Sequence, residues 1–146
     1  MLSKRTKYAI KALVALGKNI NKPPMQISKI AEEEHIPKKF LKQILLDLRN
    51  AGLLFSKKGA GGGYNLNKKP EDIFLVQVLR LTDGPVALLP CASLNFYHKC
   101  EECDDEETCG IRHAFIEVRD ATLKILSETS IADVIKKEGK FNLDRL

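Results

Sequence analysis

The sequence predicts a mainly α-helical chain with a small β-wing and a long amphipathic helix near residue 120. Three observations predict this fold class. Apolar residues recur at helical spacing over the first 50 positions, a glycine-rich turn near residue 60 separates two short apolar runs, and helical spacing returns over residues 110–129. With 146 residues, of which 44% are hydrophobic, the chain can bury one compact core.

Three helices are predicted before residue 51, over residues 4–19, 28–34 and 37–50. Pro37 suits the first position of the third helix, where no backbone N–H is needed. The residues predicted to face the core recur every three or four positions, and they are Tyr8, Ala12, Ala15, Leu16, Ile27, Ile30, Ala31, Phe40, Leu41, Ile44, Leu45 and Leu48. The Asn50-Ala51-Gly52 sequence ends the third helix.

A β-hairpin and a fourth helix follow. Residues 53–56 and 64–67 are predicted to be strands, joined by a turn over residues 57–63. The fourth helix is predicted over residues 70–81, with inward residues Ile73, Val76, Val78 and Leu79. Helix, short helix, turn, helix and hairpin occur in the order of a winged helix-turn-helix.

Charge is divided unevenly along the chain. Residues 1–69 carry 15 Lys/Arg and 4 Asp/Glu, a net +11, whereas residues 70–146 carry 9 and 15, a net −6. A basic half suits a module that binds a polyanion, although a solvated lysine-rich face produces the same excess. The charge alone does not decide between these interpretations.

The third helix and the hairpin supply the candidate DNA-binding residues. In a winged helix-turn-helix the third helix enters the major groove, where lysine pairs with guanine and glutamine with adenine. The glycines of the hairpin let its tip approach sugar and phosphate closely. The predicted set is Lys38, Lys39, Lys42, Gln43, Lys57, Lys58, Gly61, Gly62 and Tyr64. The helix residues could equally be solvated surface positions, and Tyr64 could serve packing.

The same glycine run could in principle hold a nucleotide phosphate. It lacks the GxxxxGK[ST] order, however, and it leads into a predicted strand, not a helix. Nucleotide binding is therefore not expected.

All four cysteines fall within one segment, with the spacing Cys91-x8-Cys100-x2-Cys103-x5-Cys109. Clustering in a short chain favours a metal site over a disulfide framework. Four soft ligands suit either tetrahedral zinc or an iron–sulfur cluster, and the spacing does not choose between them. A loop of thiols that responds only to oxidation is the remaining interpretation.

The predicted long helix over residues 110–129 carries an apolar seam with spacing four, three, four and three. A seam of that period packs against another helix, and the second helix could come from a second copy of the chain. The predicted dimer residues are Ile111, Phe115, Val118, Thr122 and Ile125. A short helix is predicted over residues 130–137.

Three segments carry a resemblance to a known family: FLKQIL (40–45), LRNAGL (48–53) and GAGGGY (59–64). Together with the order of wing, helix, cysteine loop and long helix, the chain resembles the Rrf-type (IscR/NsrR-like) bacterial transcription regulators. The resemblance implies a homodimer, held by the long helix, that binds a palindromic promoter site. Lys58 stands where members have arginine. Lysine keeps the positive charge but cannot make the paired hydrogen bonds of a guanidinium group.

The resemblance also implies an iron–sulfur site with three cysteines on the loop before the long helix. Cys91, Cys103 and Cys109 are similar to the first, second and third of them, although the first two are further apart than in the usual pattern. Cys100 is an additional cysteine and could replace either neighbour.

The fourth ligand differs from the family pattern. Members use a histidine just after the third cysteine or an acid near the N terminus. Arg112 stands where that histidine is usual, with His113 one place later, and Lys7 stands near the usual acid. Cys100 or a ligand from a partner subunit would therefore complete the site.

These observations predict three regions: a DNA-binding domain over residues 1–84, a cysteine-rich sensor loop over 85–109, and a dimerisation helix with its tail over 110–146. The predicted function is a homodimeric DNA-binding transcription regulator, a repressor by resemblance. Its operator affinity would be set by a [2Fe-2S] or [4Fe-4S] cluster, or by the thiol state of the cysteine loop.

The alternatives are a winged-helix regulator that is stabilised by zinc or has no cofactor, and a winged-helix protein-interaction module. No grouping of carboxylate, His and Ser residues suggests catalysis, so an enzyme is not expected. No apolar run reaches the ~18 residues that span a bilayer, and we expect a cytoplasmic protein without a membrane partner.

Overall fold

The computed structural model of the chain describes residues 2–138 and contains six α-helices and one two-stranded antiparallel sheet in that range. The elements are α1 (Lys4–Lys18), α2 (Ile27–Glu33), α3 (Lys38–Asn50), β1 (Leu54–Lys57), β2 (Gly63–Leu66), α4 (Leu75–Thr82), α5 (Gly110–Glu128) and α6 (Ile131–Lys137). Two 3-10 turns, Pro70–Asp72 and Pro90–Ala92, precede α4 and α5. The predicted winged helix-turn-helix followed by a long helix is confirmed. Met1 and residues 139–146, which the first and third predicted regions include, lie outside the described residues.

The core lies between α1, α3, the hairpin, α4 and α6. Its buried side chains come from each of these elements and include Leu13, Leu45, Leu54, Val78 and Ile131. Helix α6 packs against α1, so the chain returns from α5 to the N-terminal half. Ser3 caps α1, since its hydroxyl accepts the backbone N–H of Thr6 at 3.1 Å.

The predicted fourth helix is shorter than expected. Residues 70–72 form a 3-10 turn, and α4 begins only at Leu75. The intervening backbone is extended because it pairs with the segment before α6: Leu75 N–H donates to the Thr129 carbonyl at 2.9 Å, and Ile131 N–H to the Ile73 carbonyl at 2.8 Å. This pairing removes residues 73 and 74 from the helix.

Three smaller corrections concern residues 37–66. Both strands lie one residue nearer the turn than predicted, because Lys57 pairs with Gly63. Pro37 precedes α3 with ψ 122° instead of forming its first residue. Phe40 was predicted to face the core but is 45% exposed, and its ring packs edge-on against Tyr8 with centroids 5.7 Å apart.

Over residues 2–138 no helix is both long enough and apolar enough to cross a lipid bilayer.

Candidate nucleic-acid interface and cysteine cleft

The start of α3 is fixed by a tight turn after α2. His35 adopts φ +53°, and Ile36 N–H donates to the Ala31 carbonyl at 2.9 Å. Lys11 of α1 holds this turn from outside, because its ammonium donates to the Glu34 carbonyl and lies 3.6 Å from the Glu34 carboxylate. The first turn of α3 therefore has a defined position on the core.

Four of the predicted DNA-binding residues share one concave surface. Lys38, Lys39 and Lys42 of α3 line it together with Tyr64 of β2 and Ile27 of α2, and its volume is about 550 Å³. The three lysines are exposed, whereas Tyr64 is half-buried. Tyr64 also exchanges backbone hydrogen bonds of 2.8 and 3.0 Å with Met25, which attaches the wing to the segment before α2. Helix α3 and the wing thus form one continuous cationic face.

The tip of the wing depends on glycine. Gly59 and Gly61 have φ of +91° and +70°, a region that L side chains disfavour. Gly62 is buried, and a Cβ there would lie 2.3 Å from the Lys57 carbonyl oxygen. Lys57 and Lys58 are exposed beside this turn. The tip therefore presents two cations on a compact backbone.

Gln43 lies on α3 next to the concave surface and has a partner that was not predicted from the sequence. Its Nε2 donates to Asp47 Oδ1 at 2.9 Å, and the other carboxylate oxygen of Asp47 accepts from the guanidinium of Arg5 on α1. The i, i+4 spacing of Gln43 and Asp47 is a signal that could have revealed the first contact. No local signal reveals the second, because Arg5 is 42 positions away.

All four cysteines line one cleft of about 590 Å³ between the Leu89–Pro90 segment and the start of α5, together with His98. Cys91 is buried and the other three thiols are half-buried. The Tyr97 hydroxyl donates to the Glu106 carboxylate at 2.6 Å, which joins two distant positions of the cysteine segment.

The environment of the cleft raises the pKa of two of the thiols. Burial raises the pKa of Cys103, and the neighbouring thiols of Cys109 and Cys100 raise it further. At Cys100 a backbone hydrogen bond from Glu102 lowers the pKa. The Glu102 carboxylate, which accepts from Cys100 Sγ at 3.3 Å, and burial outweigh that bond, so the pKa of Cys100 is also raised.

The donor set of the cleft suits a soft metal ion or an iron–sulfur cluster, since four thiols line one concave site. Within residues 2–138, however, no three side chains of His, Cys, Asp or Glu converge closely enough to hold one ion. Binding a metal would require the thiols to turn inward and lose their protons. His113 contacts the Glu107 carbonyl through Nε2 at 2.7 Å.

The cysteine segment is attached to α5 by two arginines. Arg112 Nε donates to the Cys91 carbonyl at 3.1 Å, and the guanidinium of Arg119 donates to the Ala92 carbonyl. Cys109 caps the N terminus of α5, because its sulfur accepts the Arg112 N–H at 3.5 Å. The first and last cysteines are therefore both in contact with the long helix.

The predicted dimer seam lies along the outer face of α5. Ile111, Val118 and Ile125 are 67%, 44% and 63% exposed, and Phe115 and Thr122 are half-buried. Helix α5 packs against α4 and against the Pro90–Ala92 turn, which it contacts through Arg112 and Arg119. Among the described residues, none covers the exposed part of this seam.

Comparison with known proteins assigns the family. The family described as Rrf2, an iron-dependent transcriptional regulator, matches residues 2–137. The chain is 40% identical to the rrf2-like protein of Rhodobacter capsulatus over 138 residues, which cover 92% of each chain.

Solved structures agree with this assignment. CymR, the global cysteine regulator of B. subtilis, superposes with a TM-score of 0.78 at 28% identity, over 93% of this chain and 96% of CymR. T. potens IscR has the same fold, with a TM-score of 0.75 at 22% identity over 98% and 91% of the two chains. The homologues are regulators and not enzymes. The chain belongs to the Rrf2 family of DNA-binding transcriptional regulators.

Proposed function

We propose that the chain acts as a homodimeric repressor whose affinity for a palindromic promoter site is set by an iron–sulfur cluster in the cysteine cleft. The observation that carries this proposal is the placement of four thiols in one cleft that is attached to α5 at Cys91 and Cys109. A change at a sensor site beside a dimer helix can alter how the DNA-binding domains of the two subunits are oriented relative to each other.

DNA is bound by the cationic face of α3 and the wing. The lysines at the start of α3 (Lys38, Lys39 and Lys42) and Gln43 approach base edges in the major groove, while Lys57 and Lys58 approach the backbone or minor groove. Gly61 and Gly62 allow the close approach of the wing tip, and Tyr64 holds the wing beside α3.

The cluster ligands would be Cys91, Cys100, Cys103 and Cys109. Arg112, at the position where the family has a histidine, is not a metal ligand because guanidinium does not deprotonate, and its Nε already donates to the Cys91 carbonyl. When bound, an iron–sulfur cluster supplies a centre that responds to redox state and to iron supply. The description of the family as iron-dependent supports this cofactor.

The signal would pass from the cleft to DNA through α5. Cys91 and Ala92 are bound by Arg112 and Arg119, so a rearrangement of the thiols moves the carbonyls that these arginines hold. In a dimer paired along Ile111, Phe115, Val118, Thr122 and Ile125, a rotation of α5 changes the spacing of both recognition helices. A tenfold change in operator affinity requires only about 1.4 kcal/mol.

The test begins with anaerobic purification, assay of iron, sulfide and zinc, and a visible spectrum. The preferred DNA site is then selected from random double-stranded DNA, and its affinity is measured by fluorescence anisotropy for cluster-loaded and metal-free protein. We expect bound iron and sulfide and at least a tenfold difference between the two affinities. The spectrum also separates [2Fe-2S] from [4Fe-4S] clusters.

Three variants sharpen this test. Cys103→Ala and Cys109→Ala should lose iron and the tenfold response, and Cys100→Ala should do the same if Cys100 is the fourth ligand. Asn95→Ala, in the same loop, is the matched control. Unchanged iron content and unchanged affinity in the Cys103 and Cys109 variants would exclude sensing by this cleft. A colourless protein loaded with zinc would contradict the iron–sulfur cofactor.

A second candidate function uses the thiols alone. The thiols of Cys103 and Cys109 line the same cleft, and Cys109 raises the pKa of Cys103. Hydrogen peroxide could oxidise this pair to a disulfide: the two thiols lose two protons and two electrons, and the peroxide takes them up to become two molecules of water. Under this alternative the metal-free protein would lose operator affinity on peroxide treatment and regain it with a dithiol reductant.

A further inference from the structure

A chain of polar contacts runs from α1 to the exposed face of the recognition helix. Arg5 of α1 binds one oxygen of Asp47, and the other oxygen accepts the side-chain amide of Gln43 at 2.9 Å. The side chain of Asp47 is only 21% exposed, whereas Gln43 is exposed. Asp47 is thus fixed between the body of the protein and a side chain that faces outward.

The contact with Asp47 determines which way the amide of Gln43 points. A carboxylate only accepts hydrogen bonds, so the nitrogen of the amide turns toward Asp47 and the oxygen turns away. A planar amide has two N–H groups, and bidentate pairing with adenine uses the carbonyl oxygen and the N–H on the same side. The other N–H can remain on Asp47 while the adenine-reading edge stays available.

We propose that Asp47, held by Arg5, is a positioning residue that orients Gln43 to read an adenine in the major groove. The inference rests on the proposed function in one respect, namely that α3 is the helix that enters the groove. It adds a determinant of sequence specificity, formed by Arg5 and Asp47, that need not touch a base itself.

Electrostatics gives the proposal a distinctive signature. Asp47 lies one turn beyond Gln43 on the helix proposed to enter the major groove, so its negative charge opposes DNA binding of every sequence. The ion pair with Arg5 reduces this repulsion but does not remove it. Removal of Asp47 should therefore leave binding to unrelated DNA unchanged or stronger while it weakens discrimination. A purely structural role would weaken binding to both kinds of DNA.

The experiment uses the full chain and double-stranded DNA with a randomised core. Sites are selected with the wild type and with Q43A, D47A, R5Q and the double variant Q43A/D47A. Affinities for the selected duplex, for versions with single base changes and for a scrambled duplex are measured by anisotropy. Glu32→Ala, which removes an exposed carboxylate from α2, is the control for the loss of one negative charge.

We expect Q43A to lose about tenfold in preference at one adenine of each half-site. D47A should lose preference at the same base by a similar factor, with unchanged or higher affinity for the scrambled duplex. The double variant should lose no more than Q43A alone, because Asp47 acts through Gln43. Glu32→Ala should retain the preference.

Other outcomes separate the failure of this inference from failure of the proposed function. If Q43A loses the preference and D47A keeps it, Asp47 is not a positioning residue. Equal losses of D47A on selected and scrambled DNA would also overturn the inference. If thermal unfolding shows that D47A does not fold, R5Q, which keeps the carboxylate, decides in its place: it should lose part of the preference at the same base. A wild type that selects no sequence would instead contradict the proposed function.

Discussion

The two helices α1 and α5 show how differently the two halves of the chain obtain their structure. Eight residues of α1 are buried, and most of its turns contact the core. Helix α5 is longer, with 19 residues, yet within the described chain none of them is buried. The helices around α1 thus hold their shape through one buried core, to which α6 also contributes Ile131. The α5 half has its apolar surface exposed, which supports the proposal that a second copy of the chain completes it.

The cysteine loop differs from the wing in the same way. The wing is held by the hydrogen bonds between its two strands and by those to Met25. Its backbone also takes a geometry that only glycine accommodates. The loop carries six acidic residues over 101–107, and few backbone hydrogen bonds are made there. Adding thiolates to such a loop is costly unless a cation compensates their charge. The contrast supports the proposal that the wing is a preformed DNA-binding surface and that the structure of the cysteine loop depends on what it binds.

Breaking the seam of α5 should produce the largest effect. In Ile125→Glu a charge replaces a side chain that is 63% exposed in the single chain, and we expect the dimer to dissociate. Because both half-sites must be bound together, operator affinity should fall by about 100-fold. Sedimentation velocity and anisotropy measure the two effects.

Ser127→Glu is the control, because it places the same charge on an exposed position of α5 outside the seam. It should remain dimeric and bind the operator normally. If Ile125→Glu is still a dimer with full affinity, α5 is not the dimer helix.

A valine-to-alanine substitution in each half compares how tightly the two helices are packed. Val14 of α1 is 3% exposed and Val118 of α5 is 44% exposed. Val14→Ala should lower the free energy of unfolding by roughly 2 kcal/mol, because it removes two buried carbons and leaves a cavity. Val118→Ala should cost less, and its cost should depend on protein concentration because it lies in the proposed dimer seam.

Urea unfolding at several protein concentrations tests this pair. If both variants lose the same free energy of unfolding at every protein concentration, α5 is stabilised within one chain. The proposed difference between the two halves would then be wrong.

The wing supplies the next effect in size. Gly62→Ala places a Cβ against the Lys57 and Gly59 carbonyls, so the tip must open and move Lys57 and Lys58. We expect about a tenfold loss of DNA affinity, equivalent to about 1.4 kcal/mol. The melting temperature should change little, since the wing tip lies outside the core. Ala60→Ser, at an exposed position of the same turn, should bind normally.

Binding measured over a range of salt concentrations adds a second readout for Gly62→Ala. If the wing lysines neutralise phosphates, the slope of log affinity against log salt should become shallower by about 0.9 for each phosphate that the variant no longer reaches. An unchanged slope would place these lysines away from the backbone of DNA.

Local patterns were sufficient to predict the helices and the wing, because their signals lie within a few residues of one another. Leu41, Ile44, Leu45 and Leu48 are buried as their spacing predicts. The break before α4 was missed because it depends on pairing with Thr129 and Ile131, more than 50 positions away. Phe40 was misassigned because periodicity places it at the edge of the apolar stripe, where the ring of Tyr8 covers only one side.

The same difference between local and long-range contacts applies to the candidate sites. Proximity in sequence was enough to group the four cysteines, which the structure places in one cleft. The arginines that bind the Cys91 and Ala92 carbonyls were not predicted, because a cation 21 or 27 positions from its acceptor leaves no pattern. The contact between Arg5 and Asp47 was missed for the same reason. The residues that form each element could be predicted from the sequence. The residues that join distant elements could be identified only in the structure.

The smallest predicted effect concerns the contact between the start of α1 and the segment that leads to the cysteine loop. Asp83 accepts the Ser3 backbone N–H at 3.2 Å and also accepts the Ser3 hydroxyl. Burial alone would raise the pKa of Asp83, but the hydrogen bonds from Ser3 and Thr6 outweigh it and lower that pKa below 3.8. The ionised form is therefore the one that the folded state favours.

A lowered folded-state pKa contributes stability above the unfolded pKa of about 3.9, and this stability is lost as the pH falls through the folded value. Asp83→Asn should thus cost less than about 1 kcal/mol at pH 7, as expected for an exposed contact. Its difference from the wild type should shrink below about pH 4. Urea unfolding at both pH values measures this, with the exposed Glu71→Gln as control. A difference that is the same at both pH values would mean that Asp83 stabilises this junction by packing and not by its charge.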